Sequence, residues 1–176
     1  MRDVLVSAEG RVVAVDPTSP EYGAPVTLGQ TAASMRAAGL GSRVDIRFEF
    51  DALDERNSFP DDSFDYVVLA HCSWYFASAD QLCDTLSRVR PWAHRLRFSE
   101  WDLRPRELSQ LPHLLAVLGQ GTVEAGGSRG EGNVRTPLSR EALRDLVVSQ
   151  ADVLRSVAAE RGNRPLCSYS ILADRT

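Results

Sequence analysis

The sequence predicts an α/β fold, a doubly wound and mostly parallel sheet that ends in a C-terminal antiparallel hairpin. Two observations predict it. Short apolar segments typical of strands alternate with segments of helical periodicity along most of the chain. In addition, polar residues follow directly after strand segments, at Asp16 and at His71, and open α/β sheets bind ligands at the carboxyl ends of their strands. We therefore expect one domain over residues 1–176, with its functional residues at strand ends.

Four segments carry the strand signal of the first two thirds of the chain. Residues 12–15 are a short β-branched apolar run, typical of a strand covered on both faces. Residues 44–50 alternate apolar and polar side chains, which indicates a strand with one wetter face at a sheet edge. Residues 64–70 give the strongest buried-strand signal, and residues 94–101 predict a further strand.

Helices are predicted between these strands. Residues 27–39 contain good helix formers and end in Gly39, which is typical of a helix C-terminus. Residues 79–89 place apolar side chains at helical intervals, and Pro91 follows them. Residues 106–118 predict the next helix, and Ser139 is a plausible N-cap for the one after it.

The C-terminal segment allows two interpretations. We favour a strand over residues 153–159 that pairs with residues 168–172 through a turn at Gly162-Asn163. Apolar residues in the first of these segments also recur at helical spacing, so a helix that continues from Ser149 fits almost as well.

Composition and charge exclude several functions. The chain has 176 residues, 43% of them hydrophobic, and a formal net charge of -4, which argues against general nucleic-acid binding because phosphates require a basic face. A small molecule or a basic partner fits better. The N-terminus is too short and polar for a signal peptide, and no apolar run approaches the length of a membrane span, so we expect a cytoplasmic protein.

The cysteines and histidines predict no metal site. Three cysteines, Cys72, Cys83 and Cys167, lie far apart and are odd in number, which favours reduced thiols over a disulfide framework or paired metal ligands. The histidines likewise lack metal-ligand spacing, and the chain contains neither a glycine-lysine phosphate loop nor a nucleophile elbow.

The acid at the end of the first strand suggests a nucleotide. In nucleotide-binding α/β folds such an acid usually binds a ribose, and it lies about 20 residues after a glycine-rich turn that follows the first strand. Met1 precedes Asp16 too closely to leave room for that strand and turn. The fold and its activity are therefore separate questions.

The ordered strand ends resemble one family. Val15-Asp16, Phe50-Asp51-Ala52, the run from Phe64 to His71, and Glu100-Trp-Asp-Leu103 are similar to the class I S-adenosylmethionine-dependent methyltransferases, especially small bacterial ones that act on small molecules. The likeness runs from about Arg11 to the end of the chain. It implies a Rossmann-like methyltransferase fold, N-terminally truncated, with S-adenosylmethionine as the cofactor and a small-molecule substrate.

The resemblance implies a cofactor-binding set in the first part of the chain. Asp16, with Pro17 beside it, would accept hydrogen bonds from the ribose hydroxyls, and the alternative is an aspartate that only starts a turn. Asp51 would meet the adenine amino group while Ala52 supplies a backbone N–H, and the alternative is a loop carboxylate in water. Tyr22 is expected on the substrate side, where it could cap the ribose.

The resemblance also assigns roles to the segment after residue 70. His71 would lie beside the methionine end of the cofactor or the entering substrate, where it could act catalytically, although a structural hydrogen-bonding role is equally compatible with a histidine there. Trp74 and Tyr75 could line the acceptor pocket, and the alternative for both aromatics is packing.

The missing glycine loop leaves the activity open. Gly126-Gly127 and Gly130 lie near the wrong end of the chain to replace it. The recorded start could lie downstream of the real one. Alternatively, residues 1–6, a second copy in a homodimer or another partner could complete the sheet, or the chain could be a degenerate member. The leading hypothesis is a methyltransferase or part of one, and the rival is a noncatalytic methyltransferase-like protein that works by association.

Overall fold

A computed structural model describes residues 10–127, 133–149, 153–160 and 168–174 of the chain. Strands and helices alternate as the sequence predicts. The strands are β1 (Val12–Val15), β2 (Val44–Arg47), β3 (Phe64–Ala70), β4 (Ala93–Trp101), β5 (Val153–Glu160) and β6 (Ser168–Asp174). The α-helices are α1 (Leu28–Met35), α2 (Ala79–Val89), α3 (Leu111–Ala125) and α4 (Arg140–Ser149).

The strands form two sheets. β1 and β2 pair in parallel, with Val12 opposite Val44. The second sheet has the order β3-β4-β6-β5, in which β3 and β4 are parallel and β6 is antiparallel to both of its neighbours. The antiparallel hairpin predicted at the C-terminal end is therefore confirmed, and the helical alternative for residues 153–159 is wrong.

Contacts divide the chain into two compact units, Met1–Ser58 and Phe59–Thr176. A single domain over residues 1–176 stays a prediction. Several predicted features lie outside the described residues: the first six residues of the chain, Gly130, the turn at Gly162-Asn163, and Cys167.

In the first unit, α1 covers one face of the two-stranded sheet. Ala32 of α1 packs against Val44 and Ile46 of β2, and all three are buried. A capping box starts the helix: the Thr27 hydroxyl accepts the N–H of Gln30 (3.2 Å), and the Gln30 side chain accepts the N–H of Thr27 (3.0 Å).

The predicted strand over residues 44–50 is too long. β2 ends at Arg47, because Glu49 has a φ of 55° and cannot continue a strand in that conformation. The alternation of side chains within β2 is as expected, since Val44 and Ile46 are buried while Asp45 and Arg47 are exposed.

In the second unit, α2 and α4 cover one face of the four-stranded sheet. The core consists of fully or almost fully buried side chains from both helices and from β4: Leu82, Leu86, Phe98, Leu143 and Val147. Ser78 caps α2 by accepting the N–H of Gln81 (3.1 Å), and Ser139 caps α4 by accepting the N–H of Ala142 (3.1 Å). The N-cap predicted at Ser139 is confirmed.

The other face of this sheet differs from the prediction. Tyr66 and Val68 of β3 are 46% and 56% exposed, so β3 is not buried on both faces. Their partners in the register are Arg95 and Arg97, on the face opposite Phe98. The expectation for residues 12–15 is also wrong, because none of them is fully buried. An apolar run cannot by itself distinguish one covered face from two.

The third and longest helix lies further along the chain than predicted, at Leu111–Ala125 rather than residues 106–118. A short 3-10 turn, Leu108–Gln110, precedes it. Among the described helices, none has the length and hydrophobicity that a membrane crossing would need.

Candidate functional site

Asp16 stands directly after β1, where its main chain still belongs to the sheet. Its N–H donates to the Arg47 carbonyl at 3.0 Å. Its carboxylate Oδ1 accepts the N–H of Thr18 (2.9 Å) and also the Thr18 hydroxyl. Asp16 therefore does start a turn, as one of the two sequence interpretations holds, and the turn uses one of its two carboxylate oxygens.

Asp51 follows the same end of β2. The N–H of Phe50 donates to the Asp16 carbonyl at 3.0 Å, so the backbone brings Asp51 next to the strand-end acid of β1. Asp51 is exposed, and its Oδ1 accepts the N–H of Leu53 at 2.9 Å. It is separated from β2 by residues 48–50 instead of ending the strand, because β2 stops early.

These two acids fit the nucleoside part of S-adenosylmethionine. Each holds its turn through Oδ1, and a carboxylate has lone pairs on both oxygens, so Oδ2 of Asp16 and of Asp51 can accept hydrogen bonds from a diol or an amine. Pro17 is exposed and Ala52 half-buried beside them. Tyr22 is 50% exposed in the same unit.

In the second unit, His71 ends β3 in an unusual conformation. Its N–H donates to the Ser99 carbonyl at 2.7 Å, which extends the pairing with β4 by one residue. Its φ of 53° lies in the left-handed region, where histidine is among the more frequent non-glycine residues. The imidazole is 7% exposed. The chain then turns sharply into a 3-10 turn, Ser73–Tyr75.

A buried carboxylate lies against this turn. Glu100 of β4 is completely buried, and its Oε2 accepts both the N–H (2.9 Å) and the hydroxyl (2.7 Å) of Ser73. Its Oε1 accepts the N–H of Trp101 at 2.8 Å and lies 3.6 Å from Nδ1 of His71. Glu100 therefore joins the ends of β3 and β4.

The His71 ring packs against Trp101, which belongs to a larger group of rings. The ring centroids of His71 and Trp101 are 4.2 Å apart. His113 of α3 meets Trp101 and Trp74 edge to face, at 5.8 and 6.2 Å. Trp74 is 6% exposed in a core cluster, whereas Tyr75 is 37% exposed.

Burial affects two ionisable groups of this region. It lowers the pKa of His113, because a charged imidazole is disfavoured in an apolar setting. Burial, aided by the negative charge of Glu100, raises the pKa of the Cys72 thiol to about 12. Cys72 is therefore a protonated, weakly reactive thiol at neutral pH.

An ion pair holds the residue that directly follows β4. The Asp102 carboxylate is almost completely buried, and its Oδ2 lies 3.0 Å from Nη2 of Arg140 at the start of α4. The Asp102 Oδ1 accepts the N–H of Arg104 at 3.2 Å. The residue that follows Glu100 and Trp101 is thus tied to α4.

Glu100 and His113 are absent from the predicted site. The sequence does contain a signal for Glu100. Leu96, Phe98 and Glu100 occupy every second position of β4, so the strand period places all three side chains on the same, covered face. For His113 the signal was its position four residues before Val117, the buried residue of α3.

Solved structures share this architecture. No model of a known protein family matches the chain. A cyclopropane-fatty-acyl-phospholipid synthase-like protein of Lactobacillus casei superposes with a TM-score of 0.79 at 25% identity, over 94% of this chain and 75% of that one. A SAM-dependent methyltransferase of Methanosarcina mazei gives 0.61 at 16% identity, over 94% of this chain and 82% of that one. The chain has the class I S-adenosylmethionine-dependent methyltransferase fold.

Further comparisons agree with this fold family. Magnesium protoporphyrin IX methyltransferase of Synechocystis, solved with bound SAH, matches with a TM-score of 0.59 at 13% identity, over 94% of this chain and 64% of that one. Among curated proteins, methyltransferase phomM' of Diaporthe leptostromiformis is 28% identical in an alignment 134 positions long that covers 65% of this chain and 33% of that protein. The chain thus spans about a third of the length of the curated relatives it matches. The predicted fold class and resemblance are confirmed.

Proposed function

We propose that the chain is an S-adenosylmethionine-dependent methyltransferase, or the larger part of one, and that its methyl acceptor is a small molecule. The observation that carries the proposal is the backbone bond from Phe50 to Asp16, which brings the two strand-end acids to one end of the two-stranded sheet. In this fold family that arrangement suits a nucleoside, because ribose hydroxyls and an adenine amino group are hydrogen-bond donors.

The proposed cofactor contacts lie in the first unit. Asp16, with Pro17 beside it, would bind the ribose hydroxyls, and Asp51 would accept from the adenine amino group. Ala52 would offer its backbone N–H to the adenine ring, and Tyr22 would cap the ribose. When bound, the cofactor supplies a methyl group already activated by the sulfonium, so the protein mainly has to align the acceptor and exclude water.

The proposed acceptor contacts lie in the second unit. His71 would contact the acceptor, because it lies after the carboxyl end of β3, where open α/β sheets bind ligands. Tyr75, which is 37% exposed, would contact the acceptor directly. Trp74 is buried in a core cluster, so we propose that it supports the acceptor site by packing and does not contact the acceptor.

The test is calorimetric titration with S-adenosylhomocysteine, since the product binds without any knowledge of the acceptor. The informative variant is Asp16→Asn, because asparagine keeps the side-chain oxygen that holds the Thr18 turn while it removes the charge. Loss of charge-assisted hydrogen bonds of about 1.5–3 kcal/mol should weaken binding about 10- to 100-fold.

The matched control is Asp45→Asn. Asp45 is an exposed aspartate of β2 in the same unit, and its carboxylate lies 2.9 Å from Nε of Arg47. We expect this control to bind like the unmodified chain. A folded chain that fails to bind S-adenosylhomocysteine, or equal affinities for both variants, would refute the proposed site.

A second candidate function is association without catalysis. It is favoured by the exposed Tyr66 and Val68 on the uncovered face of β3, because apolar side chains grouped on a sheet face are typical of contact surfaces. A second subunit or a partner that completes the sheet remains a prediction. Analytical ultracentrifugation of the chain and of its Val68→Arg variant separates the candidates: association abolished by the variant, without cofactor binding, favours this one.

A further inference from the structure

We propose that Glu100 is the positioning residue of His71: it keeps the imidazole proton on Nδ1 and so leaves Nε2 as the atom that takes a proton from the methyl acceptor. The inference rests on the proposed function for its catalytic meaning. The assignment of the His71 proton to Nδ1 depends only on the geometry of β3, β4 and the residues that follow β3. It also assigns the acceptor to a class, a molecule whose reacting group carries a proton.

Glu100 is held in place by hydrogen bonds to its carboxylate. A completely buried carboxylate is costly unless donors surround it, and here three hydrogen bonds of 2.7–2.9 Å reach it from Ser73 and Trp101. Two of the three donors are main-chain N–H groups, so the carboxylate cannot rotate away without losing them. Glu100 is therefore a fixed negative group inside the unit.

The Nδ1 atom of His71 lies next to this carboxylate. Its Nδ1 is buried and has no hydrogen-bond partner among the described residues, and the carboxylate oxygen Oε1 of Glu100 lies 3.6 Å from it. At that separation the interaction is electrostatic, since it exceeds hydrogen-bond length. A lone pair on Nδ1 would face a negative oxygen, whereas an N–H there is attracted to it. The Nδ1–H tautomer is thus favoured.

His71 is held in place independently of its contact with Glu100. Its main chain bonds to Ser99, its φ of 53° sets the direction in which the side chain leaves the backbone, and its ring lies 4.2 Å from that of Trp101. Glu100 therefore selects the tautomer of a ring whose orientation is already restricted. In the same way, a carboxylate fixes the tautomer of the histidine base in other proteins.

The consequence concerns the methyl acceptor. With the proton on Nδ1, Nε2 carries a lone pair and can act as a base. When a hydroxyl acceptor is methylated, its O–H bond breaks and the proton passes to Nε2. The oxygen forms the new bond to the methyl carbon, and the electron pair of the broken carbon–sulfur bond stays on the cofactor sulfur. An acceptor without a removable proton would gain nothing from this arrangement.

The test reads the tautomer directly. Long-range ¹H–¹⁵N correlation spectra of the ¹⁵N-labelled chain without ligand distinguish a protonated from an unprotonated ring nitrogen for each histidine. Variants His94→Gln and His113→Gln assign the signals. We expect a protonated Nδ1 and an unprotonated Nε2 for His71. The Nε2–H tautomer in the unmodified chain would overturn the proposal, and this outcome requires no variant of Glu100.

The chain contains its own comparison. His94 lies on the surface with its Nδ1 3.5 Å from the Asp62 carboxylate, so it has the same contact in water, where the interaction is screened. We expect His94 to populate the Nε2–H form that free imidazole side chains prefer. In Glu100→Gln, His71 should lose most of its Nδ1–H population, while Ser73→Ala should leave it unchanged. An unchanged tautomer in folded Glu100→Gln would also refute the role of Glu100.

These readouts separate the two proposals. The tautomer is measured without cofactor, so a chain that shows the Nδ1–H form but does not bind S-adenosylhomocysteine would contradict the proposed function and leave the positioning by Glu100 intact. A chain that binds S-adenosylhomocysteine with His71 in the Nε2–H form would do the opposite.

Discussion

The two units hold their strand-end carboxylates in opposite ways. In the first unit Asp16 and Asp51 accept hydrogen bonds from residues only two positions further along the chain, and neither is buried. In the second unit Glu100 is fully buried and accepts from Ser73, 27 positions away. A locally held acid keeps an oxygen for a ligand, whereas a carboxylate held across strands has most of its lone pairs occupied inside the protein.

This difference assigns different tasks to similar side chains. Exposed turn acids can bind a ligand at little cost to stability, because water satisfies them when the ligand is absent. A buried carboxylate contributes to the fold itself, since its removal leaves its donors without partners. Mutations at the two places should therefore separate stability from binding.

The largest effect is expected for Glu100→Ala. The substitution leaves three donors without an acceptor, two of Ser73 that are buried and the half-buried N–H of Trp101, which should lower the free energy of unfolding by about 3 kcal/mol. Urea denaturation followed by circular dichroism measures it, with Asp51→Ala as the exposed control at less than about 0.5 kcal/mol. A loss at Glu100 no larger than at Asp51 would contradict the contrast between the units.

The next effect is that of Ser73→Ala. Only the hydroxyl bond to Oε2 is lost, and the main-chain bond of residue 73 remains, so unfolding should become easier by about 1–2 kcal/mol. The control is Ser87→Ala, an exposed serine of α2 whose hydroxyl donates to the carbonyl of Cys83 at 2.9 Å. We expect the same denaturation experiment to show little change there, and equal losses at both serines would argue against a buried network.

The sequence predicts those parts of this contrast that depend on neighbouring residues in the chain. The strand-end positions of Asp16 and His71 follow from apolar runs that stop at a polar residue. The early end of β2 does not follow, because the positive φ of Glu49 is set by hydrogen bonds such as that of its N–H to the Thr18 carbonyl, on another segment.

Long-range features are least accessible from sequence. The uncovered face of β3 was missed because Tyr66 and Val68 have the same composition as a buried strand, and only the placement of α2 and α4 determines which face is covered. The contact of Glu100 with Ser73 was missed for the same reason: periodicity gives the face on which a side chain lies and not its partner.

The pH dependence of stability tests whether Cys72 lies in the buried environment of Glu100. Its pKa is raised from 9.0 to about 12 in the folded chain, so the folded state keeps a proton that the unfolded state releases. Stability from this group is complete below pH 9 and declines as the pH rises towards 12, by about 1.4 kcal/mol per pH unit at most.

The measurement is the free energy of unfolding at pH 8 and pH 10 for the unmodified chain and for Cys72→Ala. The decrease between the two pH values should be larger for the unmodified chain by about 1 kcal/mol. Glu100→Gln removes the second cause of the raised pKa and should give a smaller decrease than the unmodified chain. A pH dependence that is identical in all three would show that Cys72 is not shielded beside Glu100.

The smallest effect on stability is expected at Asp16. Asp16→Ala removes the acceptor of the Thr18 turn and should cost about 0.5–1 kcal/mol, because the turn is half-exposed and water replaces part of the lost bonding. Asp16→Asn keeps that acceptor and should cost less, although it is the variant expected to weaken S-adenosylhomocysteine binding. Denaturation should therefore distinguish the two variants, because the alanine variant is less stable. Calorimetry should show weakened S-adenosylhomocysteine binding in both. If the two variants lose stability equally, the turn does not depend on Oδ1, and the hydrogen bonds from Thr18 do not account for the stability that Asp16 contributes.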